Sequence, residues 1–196
     1  MALSITQIKQ IFEYDDGNNI TAKYVDLWRF TYLCNGANMN DILRFKYSNI
    51  QGNEIFFLRG KTSRTAKKKR EIVVFIAPKM KQIIDKWGNK DKSPDNYIFP
   101  YLNGIDTEKK KKVVIADVIN RINKRMKRII GKELGIPKIT TYTARHSYAT
   151  VLKRSGANIA FISESMGHKD LKTTENYLAS FETEEREKNA QLLTNF

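Results

Sequence analysis

The apolar residues of this chain recur at helical spacing along most of its length, and that period changes over one stretch, residues 54–77. Two segments within it, 54–59 and 70–77, are rich in Ile, Val and Phe, the composition of β-strands. They flank the basic sequence GKTSRTAKKK, residues 60–69, which is too polar for a core. The pattern predicts a small antiparallel β-sheet within a mainly α-helical (α+β) domain.

Residues that start and stop helices mark the other boundaries. Ser4 and Gln7 form a capping box, Pro78 suits a first helical turn, and Asn158 can cap a helix. Glycines stand where helices are expected to end, at positions 36, 88, 156 and 167. The predicted helices follow Ser4, cover 21–35, start again at 38 or 40, and then cover 78–87, 113–133, 141–155 and the segment between 158 and 167.

The length of 196 residues and the 41% share of apolar residues fit one packed domain. The sequence has no internal repeat, no signal peptide and no apolar run long enough to cross a bilayer. A single cysteine, Cys34, argues against a disulfide framework and fits a reducing cytoplasm. Two His and one Cys cannot supply four clustered zinc ligands, so we expect no metal site.

The chain is strongly basic, with 35 Lys and Arg against 21 Asp and Glu and a net charge of +14. Such an excess favours a polyanionic partner, because neutralised phosphates release counterions; a merely solvated surface is the alternative. Double-stranded DNA is the expected partner. The candidate DNA-binding residues lie in the hairpin loop and on one face of the 113–133 helix: Arg64, Lys67, Lys68, Lys69, Arg121, Lys124, Arg125 and Arg128.

Three candidate catalytic residues follow one another at characteristic sequence spacings in the last third of the chain. Arg145 lies in TTYTARHSYAT, residues 140–150, His168 ends the sequence Met-Gly-His, and Tyr177 follows nine residues later. This order and spacing resembles the C-terminal half of the tyrosine recombinase, or phage integrase, family, whose members carry an H-x-x-R box, an L-G-H box and a nucleophilic tyrosine. The sequences TYTARHSYAT and ISESMGH most resemble those of integrases of conjugative elements from gut bacteria.

The resemblance implies a site-specific DNA recombinase of the bacterial cytoplasm, which integrates or excises a mobile element without a metal or other cofactor. Tyr177 would attack a DNA phosphodiester, giving a 3′-phosphotyrosine and a free 5′-hydroxyl. Arg145 would bind the phosphate oxygens, since its planar fork matches two of them. His168 would donate to the same oxygens or assist proton transfer from Tyr177. Lys61, in the hairpin loop, matches the family's lysine that protonates the leaving oxygen.

Two positions depart from the family pattern. Asn38 stands where the family has its first arginine, in a G-x-R-x-x-E pattern that is GANMND here, and Tyr142 opens the H-x-x-R box in place of His or Lys. Loss of one transition-state donor costs about 2.7–4 kcal/mol. Either the site is active but weaker, with Asn38 and Tyr142 still donating hydrogen bonds, or another guanidinium replaces the missing one. The candidates for that replacement are Arg29, Arg44 and Arg64.

Each residue also has an ordinary structural interpretation. Tyr177 could be a half-buried core residue, His168 a helix C-cap after Gly167, and Lys61 one phosphate contact among several. Their joint spacing favours the active site. His146, beside Arg145, is interpreted as structural.

Other functions stay open on the sequence alone. A resolvase or an invertase would use the same chemistry. A DNA-binding domain that has lost catalysis is suggested by Asn38 and Tyr142. A basic RNA- or ribosome-associated domain would explain the charge but not the motif spacing.

The resemblance covers the chain as a single catalytic domain, residues 1–196. Family members usually carry core-binding and arm-binding regions before this domain, so we interpret the chain as a fragment. Residues 182–196 form a polar segment that ends in apolar residues. In the family such a segment docks on a neighbouring protomer within a tetramer on DNA; packing on its own domain is the alternative. For this domain alone we expect a monomer.

Overall fold

A computed structural model of the chain describes residues 2–60, 71–168, 171–175 and 191. Three strands and a series of helices make up these residues. In chain order they are α1 (Ile5–Glu13), α2 (Asn19–Leu33), α3 (Met39–Ile42), β1 (Ile50–Gln51), β2 (Glu54–Leu58), β3 (Glu71–Phe75), α4 (Pro78–Trp87), α5 (Glu108–Arg125), α6 (Gly131–Glu133), α7 (Thr141–Arg154), α8 (Ile159–Ser165) and α9 (Leu171–Glu175). The mainly helical fold with a small sheet is confirmed.

The sheet is antiparallel, with strand order β1-β2-β3. Ile55 pairs with Val74 and Phe57 with Ile72, so the alternating buried residues of β2 and β3 face the core together. β1 is not predicted from the sequence, because two residues are too short to show a period. A tight turn at Gly52, where φ is +59°, joins it to β2.

Helix α2 lies at the centre of the molecule and packs against α1, α4, α5 and α7. Asn18 caps it by accepting hydrogen bonds from the backbone N–H groups of Ile20 and Thr21. Trp28 and Phe30 on this helix are fully buried, as expected for a helix that is covered on several sides. Helix α7 packs directly on α2, and α8 packs on α7.

The start and stop signals operate as predicted. Ser4 caps α1 with a complete capping box, Pro78 occupies the first turn of α4, and Asn158 accepts from Ala160 at the start of α8. Helix α5 starts at Glu108, five residues before the strongly amphipathic part that predicts it, because Thr107 caps it there.

Helix α5 continues through a π-helical turn, Met126–Ile130, into α6. Met126 and Ile130, the two ends of this turn, are both buried in the core. Within the described ranges no helix is long and apolar enough to cross a membrane.

Candidate active site

Arg145 lies in the second turn of α7, and only 2% of its surface is exposed. The helix starts at the N-cap Thr140, whose hydroxyl accepts a hydrogen bond from the backbone N–H of Thr143 in a capping box. The indole Nε1 of Trp28 donates to the carbonyl of Thr140 at 2.8 Å, which joins the start of α7 to the buried face of α2. The tertiary packing of α2 therefore sets the position of Arg145.

The guanidinium of Arg145 donates to three acceptors from two chain segments. Nη1 reaches the carbonyl oxygen of Gly36 at 2.8 Å, and Nη2 reaches the carbonyl of Met166 at 3.0 Å. Nη2 also lies 2.8 Å from Nε2 of His168. These hydrogen bonds keep a buried charge solvated by the protein and hold the planar group in one orientation.

Gly36 allows the close approach of its loop to Arg145. Its φ is +60°, and a Cβ at this position would lie 2.9 Å from the Cα of Arg145. A side chain there would strain the backbone and push the loop away from α7. The glycine predicted to end α2 thus also serves the site.

His168 is 97% buried, and its two ring nitrogens have different partners: Nε2 faces Arg145, and Nδ1 lies 2.8 Å from Oγ1 of Thr174. A guanidinium can only donate hydrogen bonds, so Nε2 accepts. The ring proton is therefore on Nδ1 and is donated to Thr174. This network assigns the neutral Nδ1–H tautomer to His168.

The backbone of His168 completes the C-terminus of α8. Gly167 has φ of +63°, its N–H donates to the carbonyl of Glu164, and the N–H of His168 donates to that of Ser163. This is a Schellman motif. The two interpretations of His168 are compatible, since its backbone caps the helix while its side chain binds Arg145.

A narrow cleft lies beside Arg145. The polar and charged residues that line it come from α3, the end of β2, α7 and α8: Asn35, Asn38, Asp41, Arg59, Arg145 and Ser165. Asn38 is the N-cap of α3, yet its amide makes no capping hydrogen bond to the described residues of that helix. The first-arginine position therefore faces the cleft but brings no charge to it.

Asp41 is the acidic group of this cleft and is 6% exposed. Burial raises its pKa, while the backbone N–H of Gly60 and the guanidiniums of Arg59, Arg145 and Arg44 oppose that shift. Gly60 donates to Oδ1 at 3.1 Å. Asp41 thus ties the end of the β2 segment to the floor of the site.

Arg59 is the residue of the cleft that the sequence analysis misses. Its Nη1 donates to the carbonyl of Gly167 at 3.3 Å. A signal for it exists in the sequence, because the strand period of two places Arg59 on the same face as Ile55 and Phe57, which point into the core. A cation at an inward-facing position of a strand calls for a functional or pairing role.

Two of the guanidiniums suggested as replacements for the first arginine have other partners. Arg29 is 7% exposed, forms an ion pair with Asp26 at 2.7 Å and donates to carbonyls at the end of α1. Arg44 pairs with Glu108 at 3.0 Å. Neither belongs to the lining of the cleft beside Arg145. The third, Arg64, lies outside the described residues.

Tyr142 is 52% exposed on the first turn of α7, and its ring packs edge to face against His146, with centroids 4.6 Å apart. It does not belong to the lining of the Arg145 cleft. Its catalytic role stays a prediction.

The basic face of α5 is divided between structural and exposed residues. Arg125 donates through Nε and Nη2 to Oγ1 of Thr21, at 2.9 and 2.6 Å, and so joins α5 to α2. Arg121 pairs with Asp117 at 2.8 Å. Lys124 and Arg128 are exposed. Their contact with DNA stays a prediction, and Arg125 already has a packing role.

Several predicted residues lie outside the part of the chain that the structure describes. They are Lys61, Arg64, Lys67, Lys68, Lys69, Tyr177 and, in the segment 182–196, all residues but 191. Their assigned roles stay predictions. Among the described residues, no group of three or more His, Cys, Asp or Glu side chains is placed to hold a metal ion.

Comparison with known proteins gives a family match over most of the chain. The model of the phage integrase family matches residues 2–184. The tyrosine recombinase XerC of Rickettsia canadensis (strain McKiel) is 30% identical over 182 residues, which are 88% of this chain and 52% of that protein. The chain thus spans about half the length of this curated relative.

Solved structures share the fold at low sequence identity. A post-cleavage complex of the XerH site-specific recombinase, bound to a palindromic difH substrate, has a TM-score of 0.67 at 16% identity, covering 99% of this chain and 53% of that one. The Tn1549 transposon integrase, in complex with a circular intermediate DNA, has a TM-score of 0.66 at 16% identity, covering 97% and 65%.

Proposed function

Since the chain belongs to the phage integrase family of tyrosine recombinases, we propose that it is the catalytic domain of a site-specific DNA recombinase and that it breaks and rejoins DNA through a covalent 3′-phosphotyrosine. The observation that carries this proposal is the buried contact between Arg145 and His168, 2.8 Å long, beside the cleft that Arg145 lines. The motif sequences resemble those of integrases of conjugative elements, so integration or excision of a mobile element is the reaction we propose.

Arg145 supports the phosphate-binding role by its surroundings. Its guanidinium is fixed by carbonyls from two loops, so little reorganisation is needed when negative charge develops on the phosphate oxygens. Charge-assisted bonds to those oxygens are among the strongest hydrogen bonds in proteins. The low exposure of the site strengthens the interaction further, because water does not screen it.

The tautomer of His168 favours the base role over the donor role. In the absence of DNA, the lone pair of its Nε2 accepts a hydrogen bond from Arg145. A phosphate that binds Arg145 would compete for that guanidinium and release Nε2 to accept the proton of a phenol. Thr174, which accepts from Nδ1, stands three residues before Tyr177 in the sequence.

We propose that the residues of this chain carry out DNA cleavage without a metal or cofactor. The phenol oxygen of Tyr177 attacks the phosphorus and its proton passes to His168. The bond between phosphorus and the 5′-oxygen breaks, and Lys61 gives that oxygen a proton. Rejoining reverses the sequence, with a 5′-hydroxyl of the partner strand as nucleophile.

The proposed partner is double-stranded DNA. The net charge of +14 and the exposed cations Lys124 and Arg128 support phosphate contacts. A tetramer on two DNA duplexes is the assembly proposed for the complete protein, and a monomer for this domain without DNA.

A second candidate is a DNA-binding domain of the same fold that has lost catalysis. Asn38 favours it, because this residue faces the cleft without a charge. Such a domain would bind duplex DNA and never become attached to it.

Covalent capture separates the two candidates. The chain is mixed with a pool of nicked duplexes of random sequence, denatured in SDS and assayed for protein-linked DNA. We expect an adduct that is lost in Tyr177→Phe and retained in Tyr97→Phe, a matched change outside the site. Absence of any adduct, or an adduct that survives in Tyr177→Phe, contradicts the proposed chemistry.

A further inference from the structure

The cleft beside Arg145 receives a second guanidinium from a chain position that the family pattern does not use. We infer that Arg59, at the end of β2, binds the scissile phosphate together with Arg145 and supplies the positive charge that Asn38 lacks. This inference rests on the proposed function, and it assigns Arg59 as a further catalytic residue of that site.

Two hydrogen bonds join the guanidiniums to neighbouring carbonyls. Arg145 donates to the carbonyl of Met166 at 3.0 Å, and Arg59 donates to the carbonyl of the next residue, Gly167, at 3.3 Å. Consecutive residues are about 3.8 Å apart from Cα to Cα, so donors bound to neighbouring carbonyls lie close to each other. One phosphate has enough oxygens to accept from both forks.

The backbone around Arg59 is held to the site by independent contacts. The N–H of Gly60, the next residue, donates to Asp41 at 3.1 Å. Upstream, Phe57 pairs with Ile72 in the sheet, and Ile72 lies against Gly167. Arg59 is therefore fixed on both sides, by the sheet and by Asp41, with its side chain directed to the cleft.

The charge of the cleft favours an anion. Among the described residues that line it, Arg59 and Arg145 are cations and Asp41 is the one carboxylate. Both cations line the same poorly solvated space, and the DNA phosphodiester that they would bind carries one negative charge.

Arg59 is also able to adjust when DNA binds. It is of intermediate exposure, whereas Arg145 is 2% exposed. Exchanging the 3.3 Å bond to Gly167 for a charge-assisted bond to phosphate needs only a small movement of a long side chain. Arg59 stands two residues before Lys61, the proposed acid, so one segment would bring both cations to the phosphate.

Arg59→Ala, Arg59→Lys and the control Arg44→Ala are compared on a duplex captured by the unaltered chain. Arg44 is a suitable control because it lies near Asp41 but pairs with Glu108. We expect Arg59→Ala to form the adduct about 10²–10³-fold more slowly and Arg44→Ala to keep its rate. Arg59→Lys, which keeps the charge but not the fork, should fall between them.

A substrate with a methylphosphonate at the scissile position distinguishes a catalytic from a structural role. Replacing one non-bridging oxygen by methyl removes the negative charge of the phosphate. A cation that accelerates cleavage by stabilising this charge then contributes little to the rate. We expect the defect of Arg59→Ala to shrink to less than about tenfold on this substrate. An equal defect on both substrates would overturn the inference, as would a wild-type rate for Arg59→Ala on the ordinary duplex.

Asn38→Arg gives an independent check. If Arg59 already supplies the charge, adding arginine at position 38 changes the rate less than about tenfold, while a site that lacks a cation gains about 10²–10³-fold. A large gain would overturn the role of Arg59. Failure of the unaltered chain to form any adduct would instead contradict the proposed function.

Discussion

Arg145 and His168 determine each other's hydrogen-bonding state. The guanidinium has only donors, so Nε2 of His168 must accept a hydrogen bond from it. The ring proton is then on Nδ1, which donates a hydrogen bond to Oγ1 of Thr174. The imidazole reaches the neutral form through its neighbours, and its orientation is fixed at both nitrogens. We therefore expect Thr174 to act through His168, as a positioning residue.

Replacing Thr174 by Val should weaken the site without removing a group that touches DNA. Thr174 is fully buried, and Val keeps its shape but leaves the Nδ1–H group without an acceptor. We expect adduct formation to fall about tenfold and the Nδ1–H proton of the imidazole to exchange faster with solvent in NMR spectra, while Thr174→Ser keeps both the rate and the protection. An unchanged exchange rate of this proton in Thr174→Val would contradict the role of Thr174.

Helix α7 delivers Arg145 to the site, and its first turn decides where the helix begins. Thr140 caps α7 and also accepts the indole N–H of Trp28 through its carbonyl. The segments that meet Arg145, by contrast, are helix ends: Gly36 follows α2, and Gly167 follows α8. The site is thus assembled where helices stop, since left-handed glycines let the backbone approach a side chain closely.

Thr140→Ala tests this arrangement against a matched cap. Asn18 caps α2 at the end remote from Gly36, so Asn18→Ala serves as control. Each change should lower the free energy of unfolding by about 1 kcal/mol, measured by urea denaturation. Only Thr140→Ala should also slow adduct formation, because it loosens the turn that carries Arg145. Equal rates of adduct formation in Thr140→Ala and Asn18→Ala would show that the Thr140 cap stabilises the fold but does not affect the site.

The charge of the whole molecule is divided between packing and surface. Arg29 and Arg125 join α2 to its neighbours, while Lys124 and Arg128 stay exposed on α5. Cations that bind phosphate contribute to the salt dependence of DNA affinity, and cations engaged within the protein contribute much less. A count of basic residues therefore overstates the DNA-binding surface.

Arg128→Gln should reduce the salt dependence of DNA binding. Loss of one phosphate contact lowers the slope of log affinity against log salt by about 0.9, measured by fluorescence anisotropy on a random-sequence duplex. Lys9→Gln is the control, because Lys9 lies on α1 and pairs with Glu13 at 3.9 Å. Identical slopes for the two variants would exclude Arg128 from the interface.

Local signals predict the elements and much of the site. Ser4, Pro78 and Asn158 start helices as their chemistry requires, and the spacing of Arg145 and His168 identifies a pair that the structure brings to 2.8 Å. These signals succeed because a cap or a helical period depends on residues within one or two turns. The two-residue strand β1 is missed for the same reason, since it shows no period.

The sequence by itself determined the helix starts at Ser4, Pro78 and Asn158, and its family resemblance placed Arg145 and His168 in one site. Only the tertiary structure decided which further guanidinium joins them. The sequence suggests Arg29 and Arg44, yet Arg29 is bound within the contact between α1 and α2 and Arg44 pairs with Glu108, while Arg59 faces the cleft of Arg145. Contacts between distant segments follow from the packing of whole elements, and no short stretch of sequence encodes them.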